Sequence, residues 1–479
     1  MKISVSTQKK WAISPYMNMQ FMEPLSATDS SVDAGWDYVH DCWRPELIDL
    51  VKSLAPGMVR WGGCFASYYH WKEAVGPQSR RKPMLNLCWD GVYSNAVGTA
   101  EIVAFCRRTG ADPLLVFNME SDGRMWWAHP KAGEDRFGTA EEAAAWVRYC
   151  NDPDDRLRIS HGYKEPFGVK WWQIGNETSY EPGYGLDKAG EVTARFAAAA
   201  HEADPSLRLI AWGDSGWAPK MCEMVGEDVD CIAFHHHFGS GLPDSQLFGT
   251  EYRKDPARTW AHMMHAHHSL AEKISEMRAQ VEPYHKKLAM TEGHFALKGR
   301  NRCEVLSSWM AGAAYARCHN VLMRNTDILE IATLADFFGN RWQVNAILIP
   351  TPARSGKPYL QPVGQVMRLF GRHCGEYLAD VRAEDGVDAV ASVSDGKAYL
   401  HLVNTRLDRS VPLEIELDRS AATNFTVHVI TPEDPAQEIT ELCAGCFEPR
   451  TETVTEGRYS LPPASVAVIE IDRESGKRR

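Results

Sequence analysis

Eight short apolar runs separated by amphipathic stretches fill residues 13–371, and this alternation constrains the fold more than any other feature of the chain. The runs are 13–23, 58–63, 113–120, 170–177, 208–214, 230–237, 287–292 and 328–336. They are rich in β-branched and aromatic residues and read as strands buried on both faces, as in a parallel sheet. Among the intervening stretches, 139–149, 191–203 and 257–279 read as helices. The first opens on Thr139 followed by Glu141 and Glu142, an N-terminal cap. Eight strand-to-helix units predict a closed (β/α)8 TIM barrel, an α/β fold. After about Gly371 the hydrophobic period shortens to two, as in the Val411-Pro-Leu-Glu-Ile-Glu-Leu and Phe425-Thr-Val-His-Val-Ile segments. Residues 372–479 therefore read as a C-terminal antiparallel β-sandwich, and residues 1–12 as a strand that joins it.

Composition narrows the function classes. Of 479 residues, 44% are hydrophobic, enough for a large core, and the net charge of −11 disfavours a phosphate backbone as partner. No run approaches the roughly 20 apolar residues of a membrane helix. The N-terminus lacks the apolar stretch of a signal peptide, so a cytoplasmic location with reduced thiols is expected for the twelve cysteines. The Cys443-x-x-Cys446 pair lacks a second pair and is not read as a metal site. The C-terminal Lys477-Arg478-Arg479 reads as a solvated tail.

In a β/α barrel the chemistry lies where the strands end on their C-terminal side. Those ends carry Glu23, Arg60 with Trp61, Glu120, Asn176 with Glu177, His235 to His237, Glu292 and Asp336. Unpaired carboxylates are costly to bury, so a mouth ringed with them is hard to explain by packing alone. Strands four and seven face each other across an eight-stranded barrel, so Glu177 and Glu292 can approach one central point. Two carboxyls about 5–5.5 Å apart are what retaining glycoside hydrolysis requires, one to attack the anomeric carbon and one to protonate the leaving oxygen. Glu177 fits the acid/base and Glu292 the nucleophile, with Arg60 holding Glu292 charged and Asn176 within reach of the sugar 2-hydroxyl. His235 and His237 share a strand face that His236 does not, so the triplet reads as hydrogen-bonding residues and no metal is expected. Cys64 lies beside the pocket without an activating partner, a substrate contact rather than a nucleophile. Trp61, Trp71, Trp89, Trp126, Trp127, Trp171, Trp172, Trp212 and Trp217 crowd the barrel half, and two or three of them are expected to line the cleft.

At these residues the chain resembles clan A of the glycoside hydrolases, and within it family 51, the α-L-arabinofuranosidases. The resemblance rests on Trp172-Gln-Ile-Gly-Asn-Glu177, Thr291-Glu292, Gln20-Phe-Met-Glu23, Val59-Arg-Trp-Gly-Gly-Cys-Phe-Ala66, Tyr69-His-Trp, Ala233-Phe-His235 and Ala332-Thr-Leu-Ala-Asp336. It implies Glu177 as acid/base and Glu292 as nucleophile. Glu23, Arg60, Asn176, His235 and Gln361 would line the glycone pocket, with Trp89 near the leaving group. It also implies a metal-independent enzyme without cofactor, a C-terminal β-sandwich and a homo-oligomer, commonly a hexamer. The expected substrate is an arabinose-containing oligosaccharide, cut from its end.

The chain departs from the family pattern in places. Arg60-Trp-Gly-Gly lacks a proline after the tryptophan, His237 stands where a tyrosine contacts the nucleophile, and Gly293-His-Phe-Ala follows Glu292. These changes leave both carboxylates but alter the pocket wall. They keep open a β-xylosidase, galactofuranosidase or β-glucanase of the same clan. A carbohydrate-binding barrel without activity is the reading from a different class.

Overall fold

The computed structural model describes residues 1–26, 29, 31–89, 91–119, 136–180, 185–239, 247–297, 303–341, 345–351, 355–383 and 386–473. Glu120, Trp126, Trp127 and the terminal basic run, all singled out above, lie outside the described residues.

The strands Gln20–Met22, Met58–Trp61, Asp112–Phe117, Trp171–Ile174, Arg208–Trp212, Cys231–Phe238 and Lys287–Phe295 pair in parallel in that order. Strand eight is broken. Leu329–Ile331 pairs with strand seven, whereas Asp336–Gly339 pairs with strand one. Between the two pieces, Ala332 N donates to Tyr16 O (3.1 Å) and Met19 N to Ala332 O (3.0 Å), closing the barrel against the first strand. The fold is thus a TIM barrel followed by a β-sandwich. Asn345–Leu348 and Tyr359–Leu360 extend the sheet beyond strand eight.

Side chains alternate as a closed sheet requires. Met19, Met58, Leu114, Trp171, Ile210, Ala233, Ala289 and Ile331 form an inward-facing apolar core. Arg208 caps this core at the N-terminal end, its guanidinium 4.7 Å from the Trp171 ring centroid. The same alternation carries Phe21 and Glu23 inward after Met19, Arg60 after Met58, Gln173 after Trp171, and His235 and His237 after Ala233. The barrel bottom is therefore oily and its mouth polar. Outside, the helices Ala140–Asn151, Leu186–Ala203, Pro256–His265, His267–Val281 and Trp309–Arg324 pack apolar faces onto the strands. Thr139 caps the first of these by accepting from Glu142 N. No helix among the described residues is long and apolar enough to cross a membrane.

Several elements differ from expectation. The first strand is only Gln20–Met22, because Tyr16 and Met19 spend their backbone groups on Ala332. The helix expected over 257–279 is two helices that meet at Ala266. The sandwich is not wholly antiparallel. Lys2–Val5 runs parallel to Val411–Leu417 and antiparallel to Val381–Arg382 in one sheet. The other sheet orders Tyr377–Ala379, Val387–Ser394, Lys397–Asn404, Val466–Asp472, Phe425–Ile430 and Arg450–Val454. Ile3, Leu402, Leu413, Val427 and Ile469 fill the space between the sheets. Trp309 Nε1 donates to Ala464 O (2.6 Å) and Trp260 Nε1 to Thr405 O (2.7 Å), tying barrel helices to the sandwich.

Candidate active site

Arg60 organises the mouth. It is fully buried, and each donor edge of its guanidinium has a partner. Nη1 donates to Glu292 Oε1 (2.8 Å), Nη2 to Asn176 Oδ1 (2.6 Å) and Nε to Gln173 Oε1 (3.0 Å). A planar fork with three acceptors is rigid, and three strands are thereby locked together at one end. Gln173 was not singled out in the sequence. Its signal was a polar residue at an inward position of an otherwise apolar strand.

Glu292 reaches the mouth through an irregularity. Alternation from Ala289 sends Thr291 inward and would turn Glu292 outward. The register between strands six and seven shifts after Phe234, so that Phe234 faces Met290 but His235 faces Glu292. Thr291 is the extra residue of a bulge, and both it and Glu292 then meet His235. His235 Nε2 lies 3.0 Å from Thr291 Oγ1, and His235 Nδ1 lies 2.9 Å from Glu177 Oε1 and 3.6 Å from Glu292 Oε2. Strand seven was expected to end at Glu292 but continues to Phe295.

Glu177 lies three residues beyond its strand. Gly175 (φ +72°) turns the chain, and Glu177 itself holds φ +52°. Left-handed backbone at a non-glycine residue costs roughly 1–3 kcal/mol and persists only where the surroundings impose it. Here it aims the carboxyl back over the barrel axis. Glu177 Oε2 accepts from Cys64 Sγ (3.5 Å), and carboxylate oxygens of Glu177 and Glu292, with a ring nitrogen of His235, lie within 4.8 Å of one another.

The electrostatics separate the two glutamates. Burial raises the pKa of Glu177, and the opposing pulls of His237, Cys64 and Arg60 do not cancel it. Burial, then the neighbouring Glu292, push Glu23 and Asp336 well above the ordinary carboxylate range. Like charges crowded in a dry mouth cannot all ionise. Glu292 is the carboxylate that holds the guanidinium. Burial drives His235 down to about 3, so its ring is neutral at pH 7. With the Thr291 hydroxyl donating to Nε2, the Nδ1–H is left to donate to Glu177.

The remaining expected residues fall as follows. Glu23 Oε2 accepts from Phe65 N (3.2 Å), and a Cβ on Gly63 (φ +136°) would stand 2.3 Å from that oxygen, so only glycine fits there. Asn176 Nδ2 is buried and has no partner among the described residues, a donor available to a ligand hydroxyl. Cys64 packs against half-buried Trp89. His237 Nε2 stands 4.0 Å from Glu292 Oε2, and its ring lies 4.4 Å from that of His294. His236 points outward to Ser269 (3.2 Å), as alternation predicts. Gln361 is fully buried ahead of the helix Pro362–Arg372, and neither amide atom bonds a described residue, so it stands outside the Arg60 network. Asp214 was missed as a support. It accepts from Lys273 Nζ (2.5 Å), Tyr180 Oη (3.2 Å) and His235 N (3.3 Å). Burial would raise its pKa, but Lys273 wins and holds it low.

Two buried glutamates thus meet at the barrel mouth from strands four and seven, as the resemblance to clan A of the glycoside hydrolases implied. The family described as "Alpha-L-arabinofuranosidase 1 domain" matches residues 50–276. The intracellular exo-α-(1→5)-L-arabinofuranosidase of Acetivibrio thermocellus is 30% identical over 224 residues, which are 43% of this chain and 41% of that protein. The corresponding Halalkalibacterium halodurans protein is 33% identical over 215 residues, 41% of this chain and 40% of its own length. The matches thus span about two fifths of these relatives. Among solved structures, the α-L-arabinofuranosidase of Thermotoga maritima in its arabinose complex superposes with TM-score 0.77 at 23% identity, covering 98% of this chain and 100% of that one. A family 44 xyloglucanase of Paenibacillus polymyxa gives TM-score 0.64 at 14% identity over 98% of this chain and 99% of its own, a likeness of fold. The matched domain and the curated relatives make residues 50–276 similar to α-L-arabinofuranosidases, and the solved structures share the fold over nearly the whole chain.

Proposed function

We propose that this chain is a retaining, exo-acting α-L-arabinofuranosidase in which Glu292 attacks the anomeric carbon and Glu177 serves as acid and then base. The observation that carries the reading is the placement of carboxylate oxygens of the two residues within 4.8 Å, one held by Arg60 and the other with its pKa raised by burial. That gap suits a double displacement, whereas inversion needs about 6.5–9.5 Å to admit a water. In the first step the Glu292 oxygen bonds to the anomeric carbon as the Glu177 proton passes to the departing oxygen. In the second, Glu177 takes a proton from water, whose oxygen displaces Glu292. Asn176 Nδ2 offers a hydrogen bond to the sugar 2-hydroxyl, and Glu23 and Cys64 line the glycone side. His237 borders the mouth beside Glu292, Trp89 flanks the leaving group, and Gln361 contributes its unbonded amide to the pocket wall. The names of the curated relatives support arabinose as the released sugar and an intracellular site of action on oligosaccharides. Domain limits of 13–371 for the catalytic barrel, with 1–12 and 372–479 in the sandwich, and a homo-oligomeric assembly belong to the same proposal.

The test is a panel of aryl glycosides with the wild type and Glu292→Ala. Turnover of the α-L-arabinofuranoside that the substitution abolishes is the expected result. Silence on that substrate with turnover of a xyloside, galactofuranoside or β-glucan would move the chain to another clan A specificity, a reading that His237 beside Glu292 favours. Light scattering tests the assembly.

A further inference from the structure

A second cluster of ligating side chains lies far along the chain from the catalytic pair. His373 follows the last barrel helix, Pro362–Arg372, whereas His428 and Glu470 stand on sandwich strands Phe425–Ile430 and Val466–Asp472. Register pairs Thr426 with Glu470, so Glu470 and His428 share one sheet face on a diagonal. The three side chains are 22%, 14% and 15% exposed, shielded but reachable from solvent.

Their geometry exceeds what an ion pair needs. His373 Nδ1 and His428 Nε2, the latter at 3.5 Å, both converge on Oε1 of Glu470, and one ligand atom from each residue lies within 4.8 Å of the others. The two imidazoles stack, with centroids 3.8 Å apart and planes 22° from parallel. Glu470 Oε2 is already taken by Lys397 Nζ (2.8 Å), so that oxygen's charge is balanced without a histidine. His428 Nδ1 lies 3.0 Å from Thr451 Oγ1. When that nitrogen donates, Nε2 turns a lone pair toward the carboxylate. A cation between them resolves the opposition, and a partner on the other ring nitrogen is the usual support of a ligating histidine. Donors about 2.0–2.2 Å from one tetrahedral zinc stand roughly 3.3–3.5 Å apart, the separation of His428 Nε2 from Glu470 Oε1, whereas His373 Nδ1, in direct hydrogen-bond contact with that oxygen, would draw back as the ion enters.

We infer that His373, His428 and Glu470 form a site for a first-row divalent transition cation of the zinc type, which clamps the end of the last barrel helix to the sandwich sheet. Two imidazoles and one carboxylate select zinc, nickel or copper over magnesium and calcium, which take oxygen ligands. The clamp is structural, and hydrolysis does not depend on it.

Tag-free full-length chain stripped with EDTA is titrated with zinc sulfate by calorimetry, with the melting temperature and aryl glycosidase rate followed in parallel. Saturable binding of one ion per chain, a raised melting temperature and an unchanged rate are expected. His428→Gln and Glu470→Gln should lose the binding, Thr451→Val should weaken it about tenfold, and Lys397→Gln should tighten it by removing a competing cation. Glu292→Gln should bind as the wild type does. No saturable binding by the wild type overturns the proposal. So does binding that survives in His428→Gln and Glu470→Gln, or binding lost in Glu292→Gln, which would put the ion between the catalytic glutamates.

Discussion

The two halves of the molecule bury polar groups to opposite ends. In the sandwich, the space between the sheets is aliphatic: Ile3, Leu402, Leu413, Val427 and Ile469 meet there, and charges such as Lys2 and Glu416 face water. In the barrel, the mouth buries Glu23, Arg60, Gln173, Asn176, Glu177, Asp214, His235, Glu292 and Asp336 together. Burial of that kind costs stability, because paired charges seldom recover the desolvation they suffer. The sandwich sheet spends its interior on cohesion, whereas the barrel mouth spends part of its own on a prearranged field. A protein selected for stability alone would fill the mouth as it fills the sandwich.

That contrast predicts what each half loses when cut. Glu292→Ala should lower kcat/KM on an aryl arabinofuranoside by about 10⁴ or more, equivalent to roughly 5.5 kcal/mol of barrier. Its melting temperature should change little, since one of several crowded carboxyls is relieved while Arg60 loses a partner. Arg60→Ala should break the distinction, because the residue serves both ends. It should abolish measurable turnover and cost about 3–5 kcal/mol of stability by leaving a buried charge uncompensated, as read by urea denaturation. Leu402→Ala, at a fully buried sandwich position, should cost about 2–5 kcal/mol while kcat of the folded fraction stays at the wild-type value. A fall in kcat there would mean that the sandwich shapes the mouth directly.

The boundary between the halves gives a prediction in pH. His319 on a barrel helix and His401 on a sandwich strand flank Phe370, at ring distances of 5.1 and 4.4 Å. Burial pushes their pKa values down to about 3 and about 4. Unfolded, both would bind protons below their ordinary value of about 6.5. Between that value and about 4 the unfolded chain therefore binds more protons, so this stability is complete above about 6.5 and drains away as pH falls. The wild type should lose a few kcal/mol between pH 7 and pH 4.5 in urea titrations, and His401→Phe should show a shallower slope. Catalysis should fail on the other side. Glu177 must carry its proton, so kcat/KM should fall as pH rises through its raised pKa. The smallest effect is expected at the surface pair Lys2–Glu416 (2.6 Å), where Lys2→Ala should leave the urea midpoint and turnover essentially unchanged, because an exposed pair is screened by water and salt.

The sequence revealed the architecture well because periodicity is a local signal. Strands four to seven, the sandwich strands and the pairing of Asn176-Glu177 with Glu292 across the mouth all follow from it. What stayed hidden depends on neighbours. The bulge at Thr291 turns Glu292 inward, yet its cause lies in the pairing with His235 rather than in strand seven. The left-handed turn at Gly175 and Glu177 is set by packing over the barrel. The split of strand eight around Ala332 follows from hydrogen bonds to Tyr16 and Met19, more than three hundred residues away in the chain. Gln173 and Asp214 support the site from positions whose importance shows only once Arg60, Lys273 and His235 stand beside them.

The central claim is that Glu292 becomes bonded to sugar while Glu177 shuttles the proton. Covalent trapping tests it most directly: the enzyme is inactivated with an arabinofuranose-configured mechanism-based inhibitor, digested, and sequenced by mass spectrometry. A single sugar adduct on the Glu292 side chain, absent from Glu292→Gln, is the predicted result. An adduct on Glu177 or Glu23, or full turnover in Glu292→Gln, would contradict it.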